Sequence, residues 1–340
     1  MVSQGRFRSE NKAHLNLFCY SLLFIMMTLL TVTSYAADLS VSGTTMTIDS
    51  VRSQVQNSHA SGSTTIDAAN GSLFTPGSTV FIITMQGSNI GQYEFNTISS
   101  ISSNTLTLQS PLTNSYDSNA QIIEITVYDN VVISNSGILT CSAWNGSTGG
   151  VLVIKAANLS VDSTSFIDTS TTGFLSETGP GAGTSTTSSY GGGGGAYGGD
   201  GGDGYGSRAG GTGYGLIHKP VCMGSGGGRN TTYNRYGGKG GGIVFIELTG
   251  TATINGVVRS NGQNSPDNYT YNGGAGAGGS IYISASAIAG TNAVSYMEVN
   301  GGSNNNTGYY GGGGGGGRIA LHCPAGTYSY SGYFKAFGGS

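Results

Sequence analysis

Chemistry in this chain would have to come from a short set of side chains. His218, Cys222, His322 and Cys323 are the residues that could begin a soft-metal site, because a His placed a few residues before a Cys can converge with it on one ion. Cys222 and Cys323 can equally form a disulfide that ties a long insertion to the last repeat, and that pairing is the stronger expectation. Cys141, beside Ala143-Trp144, reads as a buried free thiol. Asp200 and Asp203, in Gly-Gly-Asp-Gly-Gly-Asp-Gly, have the look of calcium turns, but the nonapeptide period and the apolar residue between turns are absent, so a solvent-facing Gly-Asp loop is the better account. The five-glycine run 191–195 lacks the Gly-Lys-Ser/Thr ending of a phosphate loop, and no helix pattern follows it. No nucleophile elbow or paired-carboxylate motif occurs. Glu94, Asp117, Glu124, Asp129 and Asp162 lie in surface or turn segments, and Glu247 and Glu298 alternate with apolar neighbours as outward strand residues do. A polysaccharide-processing enzyme is therefore the weakest of the functional readings, and no cofactor or metal is assigned.

Aromatic and amide side chains carry the stronger signal. Tyr269 and Tyr271 in Asn-Tyr-Thr-Tyr-Asn, and Tyr309 and Tyr310 after an Asn-rich turn, combine flat apolar rings with hydrogen-bonding groups, which suits contact with a glycan or a protein surface. Packing against the Gly-rich backbone explains them equally well. Asn-x-Ser/Thr sequons begin at Asn70, Asn145, Asn158, Asn230, Asn268 and Asn305 and are glycosylation acceptors where the host modifies secreted proteins. Asn158, just before a strand, is the least accessible of them.

The elements that position these residues read as β throughout. Arg6, Arg8 and Lys12 precede an apolar run from Leu15 to Val32, and Ser34-Tyr35-Ala36 offers the small residues of a cleavage site, so residues 1–36 are expected to be a signal peptide. No later segment is apolar for long enough to span a bilayer. Without that leader the chain keeps 10 basic and 15 acidic residues, a sparse negative surface with no footprint for nucleic acid. Residues 37–60 read as a linker or edge segment. Residues 61–130 carry short runs rich in Ile, Val, Thr, Phe and Tyr between turn residues, a small all-β N-terminal domain or capping region.

From 131 to 340 a repeat appears. Gly149-Gly150, Gly241-Gly242, Gly278-Gly279 and Gly316-Gly317 each open a short strand, at spacings of 92, 37 and 38 residues. A unit of that length buries its apolar face only by stacking on its neighbours, which predicts a parallel β-solenoid of the β-helix kind; an antiparallel β-sandwich is the alternative. The first spacing is long because of a Gly/Tyr-rich insertion, 176–240. That insertion is either a flexible loop or a set of polyglycine-type extended segments packed closely together, and the runs 273–279 and 311–317 favour packing because each leads straight into a strand.

Between Thr79 and Val151 the chain resembles a broad group of secreted bacterial Gly-rich repeat surface proteins. The resemblance rests on Val80-Phe81-Ile82-Ile83-Thr84-Met85-Gln86-Gly87, Gly91-Gln92-Tyr93-Glu94-Phe95, Asn104-Thr105-Leu106-Thr107-Leu108, Pro111-Leu112-Thr113-Asn114-Ser115-Tyr116 and Ala143-Trp144-Asn145-Gly146-Ser147-Thr148-Gly149-Gly150. It implies export and a cell-surface or adhesive role, and brings no catalytic residues with it. Two expectations follow. One is a structural subunit that self-associates into a filament through an open last coil near Phe337. The other is a monomeric adhesin that holds glycans or surfaces through its Tyr/Asn-rich loops.

Overall fold

The computed structural model describes residues 37–340 apart from 267–270, 292–294, 305–307 and 325. The expected signal peptide, Tyr269, Asn268 and Asn305 lie outside the described residues. No helix among the described residues is long and apolar enough to cross a membrane.

The fold is a parallel β-solenoid. Its first rung is β1 (Ala37–Ser42) and β2 (Thr45–Thr47), and its second is β9 (Val127–Ser134) and β10 (Ile138–Thr140). The third is the long β11 (Val151–Val161) with β12 (Phe166–Asp168). Three-strand rungs follow: β13 (Ile243–Leu248), β14 (Thr251–Ile254) and β15 (Val257–Arg259); β16 (Ser280–Ser284), β17 (Ala287–Gly290) and β18 (Tyr296–Glu298); β19 (Arg318–His322), β20 (Tyr328–Tyr330) and β21 (Tyr333–Lys335). Every pairing between rungs is parallel, as in β11 on β13, where Val151 sits beside Ile243 and Ile154 beside Ile246. The four Gly-Gly corners thus mark equivalent points of successive coils, and the sandwich alternative falls.

Alternation along each strand decides what faces inward. Val41, Ile133, Val161 and Ile254 stack in one buried column, Ile154, Ile246 and Ile283 in a second, and Leu139, Ile167, Val258 and Met297 in a third. Each such side chain contributes on the order of 1.5–3 kcal/mol by leaving water.

An antiparallel barrel interrupts the solenoid between its first two rungs. It comprises β3 (Arg52–Gln56), β4 (Thr65–Ala68), β5 (Thr79–Thr84), β6 (Tyr93–Ser102), β7 (Thr105–Leu108) and β8 (Ala120–Ile125), closed in the order β3-β4-β7-β6-β5-β8. The boundaries differ from those read in the sequence. The segment 37–60 supplies the first rung and the first barrel strand, and 127–134 already belongs to the solenoid. The reason is non-local: β1 finds its partner β9 only after the whole barrel has intervened, with Leu39 beside Val131. The barrel docks on the outer face of β11, β13 and β16. There the Phe245 ring lies 5.2 Å from Phe81, 5.0 Å from Tyr93 and 5.3 Å from Tyr282, and Lys155 pairs with Glu247 at 2.5 Å while standing over the Phe95 ring.

Turns between rungs are stitched by side chains. The Asp162 carboxylate accepts from the Asn135 N–H at 2.7 Å and from the Thr164 N–H and hydroxyl at 2.9 Å. Burial alone would raise its pKa; the Ser165 hydroxyl together with these hydrogen bonds outweighs that and brings it down to about 2. A depressed folded pKa means the contribution is present above the ordinary carboxylate range, about 3.9, and is lost as pH falls toward 2. Denaturant unfolding at stepped pH should therefore show the stability gap between the wild type and Asp162→Asn narrowing between about pH 4 and pH 2.

The glycine-rich segments form the remaining side of the coils, and they are packed. The run 191–197 is the centre of a bundle. Gly192 and Gly195 donate to Asn272 and Ala275, and accept from Gly312 and Gly315. Gly193 and Ala196 donate to Thr184 and Gly181, and accept from Gly228 and Ser225. Gly194 and Tyr197 donate to Gly202 and Gly199, and accept from Gly211 and Tyr214. Each bond recurs after three residues, the repeat of a polyproline-II helix, so the run is surrounded by six neighbouring chains. Such spacing leaves no room for side chains: a Cβ on Gly194 would sit 1.9 Å from the Gly313 carbonyl oxygen. The insertion 176–240 is thus the core of the bundle and not a loose loop.

Candidate functional site: a tyrosine face at one end of the polyglycine bundle

The direction of the chains gathers the tyrosines. The runs beginning at Gly191, Gly237, Gly273 and Gly311 are mutually parallel, and Tyr190, Tyr236, Tyr271 and Tyr310 stand at or within two residues of their starts. All four therefore emerge at the same end. The run 199–202 is antiparallel to 191–197, so its exit brings Tyr205 to that end too, where the Tyr205 N–H donates to the Tyr310 carbonyl at 2.8 Å. Tyr233 arrives on the turn between Asn230 and Tyr236.

The rings touch in a continuous series. Tyr233 and Tyr271 stack with centroids 4.7 Å apart and planes at 8°, and Tyr271 stacks on Tyr309 at 4.5 Å. Tyr309 meets Tyr205 edge-on at 4.7 Å; Tyr205 in turn lies 6.2 Å from Tyr190 and 6.1 Å from Tyr310. These separations are within the range of favourable aromatic pairs. All but the half-buried Tyr271 are exposed. Burial, then the neighbouring Tyr309 and Tyr233 phenols, push the Tyr271 hydroxyl above its ordinary pKa, so it is neutral and a hydrogen-bond donor at neutral pH.

The support beneath is specific. Asn230 is fully buried, and its amide donates to the Ser188 and Tyr190 carbonyls at 3.1 and 2.7 Å, pinning the head of the central run to the turn that carries Tyr233. Tyr271 has φ of +68°, a left-handed backbone that is unusual for an aromatic residue and is held here by rings on both sides. Guanidinium groups flank the face: Arg208 lies 5.0 Å from the Tyr190 centroid and Arg229 4.0 Å from that of Tyr236, with Arg229 also 4.0 Å from Glu177. The arrangement offers flat apolar surface edged by hydroxyls, amides and cations. It can hold a polyhydroxylated ligand, and among the described residues it contains no nucleophile–base pair.

Of the expected contact residues, the structure brings Tyr271, Tyr309 and Tyr310 together. Sequence reading left out Tyr190, Tyr205, Tyr233 and Tyr236, and the signal that finds Tyr190, Tyr236, Tyr271 and Tyr310 is their shared place at the head of parallel Gly runs. The expected Cys222–Cys323 disulfide is not formed; Cys141, Cys222 and Cys323 are all free. Cys222 is packed against Tyr197 and Ala277 inside the bundle, whereas Cys323 lies on the last rung beside the Ser286 carbonyl at 3.3 Å. Burial pushes the Cys141 and Cys222 thiols up to about 12, which keeps them protonated and unreactive. Among the described residues no three His, Cys, Asp or Glu side chains converge on one point. Asp200 and Asp203 close glycine turns by accepting from the Gly213 and Gly210 N–H groups at 2.7 and 3.0 Å.

The sequons divide by burial. Asn230 is no acceptor, since its amide is fully buried and engaged. Asn158, expected to precede a strand and to be the least accessible, instead lies exposed within β11, bonded to Asn130 and to the Thr251 N–H, and Asn230 is the buried one. Asn70 and Asn145 are exposed in turns.

No protein-family model matches the chain, and no curated protein matches it. Three solved structures overlap it weakly. They are the Gp54 tailspike of Acinetobacter baumannii bacteriophage AP22 in complex with A. baumannii capsular saccharide, at 12% identity and TM-score 0.22 over 88% of this chain and 57% of that one; the tailspike gp49 of Pseudomonas phage LKA1, at 12% and 0.23 over 89% and 65%; and the tailspike gp61 of Pseudomonas phage phi297, at 10% and 0.23 over 78% and 51%. The chain spans between about half and two thirds of their lengths. Overlap at this level carries no argument about ligand or activity.

Proposed function

We propose that this is an exported, non-enzymatic surface protein that binds glycans on its tyrosine face. The observation that carries the reading is the unbroken series Tyr233, Tyr271, Tyr309, Tyr205 and Tyr190, presented outward by a rigid backbone bundle. Sugar rings have apolar C–H faces and polar rims, so tyrosine rings edged by hydroxyls match both, and a pre-ordered face spends little conformational entropy on binding. The charged groups close to the face serve structure: Glu177 accepts from Ser185 and faces Arg229, and Asp203 holds a turn. Binding to a panel of immobilised glycans, compared with the Tyr271→Ala/Tyr309→Ala double variant, tests the reading. A set of glycans bound by the wild type and lost by the variant supports it, and no binding by the wild type sinks it.

Self-association is a second reading, favoured by the outer side of the β19–β21 rung. Tyr328, Tyr333, Phe334 and Phe337 are all exposed there, and each of the three strands is paired on one side only among the described residues. Apolar side chains beside unpaired strand edges suit stacking with a further rung from a second copy. Negative-stain electron microscopy across a concentration series should then show filaments that lengthen with concentration; isolated particles at every concentration would remove this reading.

A further inference from the structure

A groove of about 420 Å³ lies on the flank of the bundle beside Tyr236, lined by Leu175, Ser176, Thr178, Tyr236, Gly237, Lys239, Gln263 and Pro266. Its walls are largely apolar, and two of its polar groups, the Lys239 ammonium and the Gln263 amide nitrogen, are donors. The Gln263 Oε1 accepts from the Lys239 N–H at 3.0 Å, which fixes the amide and leaves its Nε2 without a partner among the described residues. The Lys239 ammonium makes no ion pair with any described residue, in contrast to Lys155, Arg229 and Arg259, which face Glu247, Glu177 and Asp168. Among the described residues no acidic side chain lines the groove. Tyr236, the wall nearest the tyrosine face, is itself covered by the Arg229 guanidinium.

We propose that this groove is a subsite for the hexuronate residues of an anionic glycan chain. The pyranose ring lies between Tyr236 and the Leu175 and Pro266 side chains, and the sugar carboxylate takes a charge-assisted hydrogen bond from Lys239 and a second bond from the Gln263 amide. A single cation with no counter-charge among the described residues discriminates by charge, because a neutral sugar leaves that ammonium uncompensated. The assignment rests on the glycan-binding reading of the tyrosine face and gives that reading a substrate class.

The test uses two probes on one sugar backbone, the anionic hexagalacturonate and its uncharged, fully methyl-esterified form, titrated calorimetrically against the protein at low salt. The acid should bind about tenfold more tightly than the ester, one ion-paired hydrogen bond's worth of discrimination, and lose that margin as salt is raised. Lys239→Gln should erase the preference, and Lys239→Arg should keep it. Tyr271→Ala/Tyr309→Ala should weaken both probes together. Equal binding of acid and ester, or a preference that survives Lys239→Gln, overturns the groove assignment and leaves the tyrosine face standing. Neither hexamer binding while other glycans do overturns it as well, and a protein that binds no glycan at all overturns both.

Discussion

Gly194→Ala is expected to cost about 3 kcal/mol or more, enough to prevent the bundle from closing, whereas Gly199→Ala, five residues on, is expected to be neutral or slightly stabilising. The contrast comes from distance alone. A Cβ at 194 would lie 1.9 Å from the Gly313 carbonyl oxygen, a rigid backbone atom, while one at 199 meets nothing nearer than the Gly316 nitrogen at 3.9 Å. To admit the methyl at 194, neighbouring chains must part by more than an ångström. That strains the bonds from Gly194 to Gly202 at 2.9 Å, from Gly211 to Gly194 at 2.9 Å and from Gly202 to Gly313 at 2.8 Å, and each buried amide left unpaired costs about 1–3 kcal/mol. At 199 the methyl is in ordinary contact and the bond to Gly316 survives, so the smaller entropy of the unfolded alanine chain sets the sign. Thermal unfolding of the two variants alongside the wild type reads the difference; equal melting temperatures would mean that the glycine segments are not packed as described.

This pair of residues also shows what the sequence could and could not convey. The solenoid was legible because Gly-Gly corners recur at 37 and 38 residues and each opens an alternating strand whose inward positions, such as Ile154, Ile246 and Ile283, must be apolar to stack. The bundle was only half legible. A polyglycine helix has no side-chain pattern, and its information lies in which of three successive backbone amides meets which neighbour, so Gly194 and Gly199 look identical in the chain and differ only in the fold. Non-local pairing hid the rest. β1 reads as an edge segment because its partner β9 follows the barrel, and Cys222 and Cys323 look ready to pair until one is placed inside the bundle and the other on the last rung. The tyrosine face was partly visible as Tyr271, Tyr309 and Tyr310. Its extent emerges only when the parallel direction of the Gly runs places Tyr190 and Tyr236 beside them and the antiparallel run delivers Tyr205.

The second large effect concerns that face. Tyr271 and Tyr309 are the middle of the ring series, stacked at 4.5 Å, so removing both rings splits the surface into separate halves and takes away two ring faces and two hydroxyls at once. Aromatic anchors at the centre of an interface each contribute on the order of 1–2 kcal/mol, which makes the expected loss of glycan affinity for the double alanine variant about a hundredfold. Neither side chain belongs to the buried core, and truncating them opens no cavity beneath the face, so melting should move by no more than a few degrees. Conservative Tyr→Phe changes at the same positions keep the rings and remove only the hydroxyls, and should fall between the wild type and the alanine variant.

Calorimetric titration of the wild type, the Tyr271→Ala/Tyr309→Ala variant and the matching Phe variant with the tightest glycan found on the panel decides whether the tyrosine face is the glycan site. Affinities should fall in the order wild type, Phe variant, Ala variant at nearly unchanged melting temperature. Undiminished binding by the alanine variant would place glycan recognition elsewhere on the protein and leave the tyrosine face without the role assigned to it.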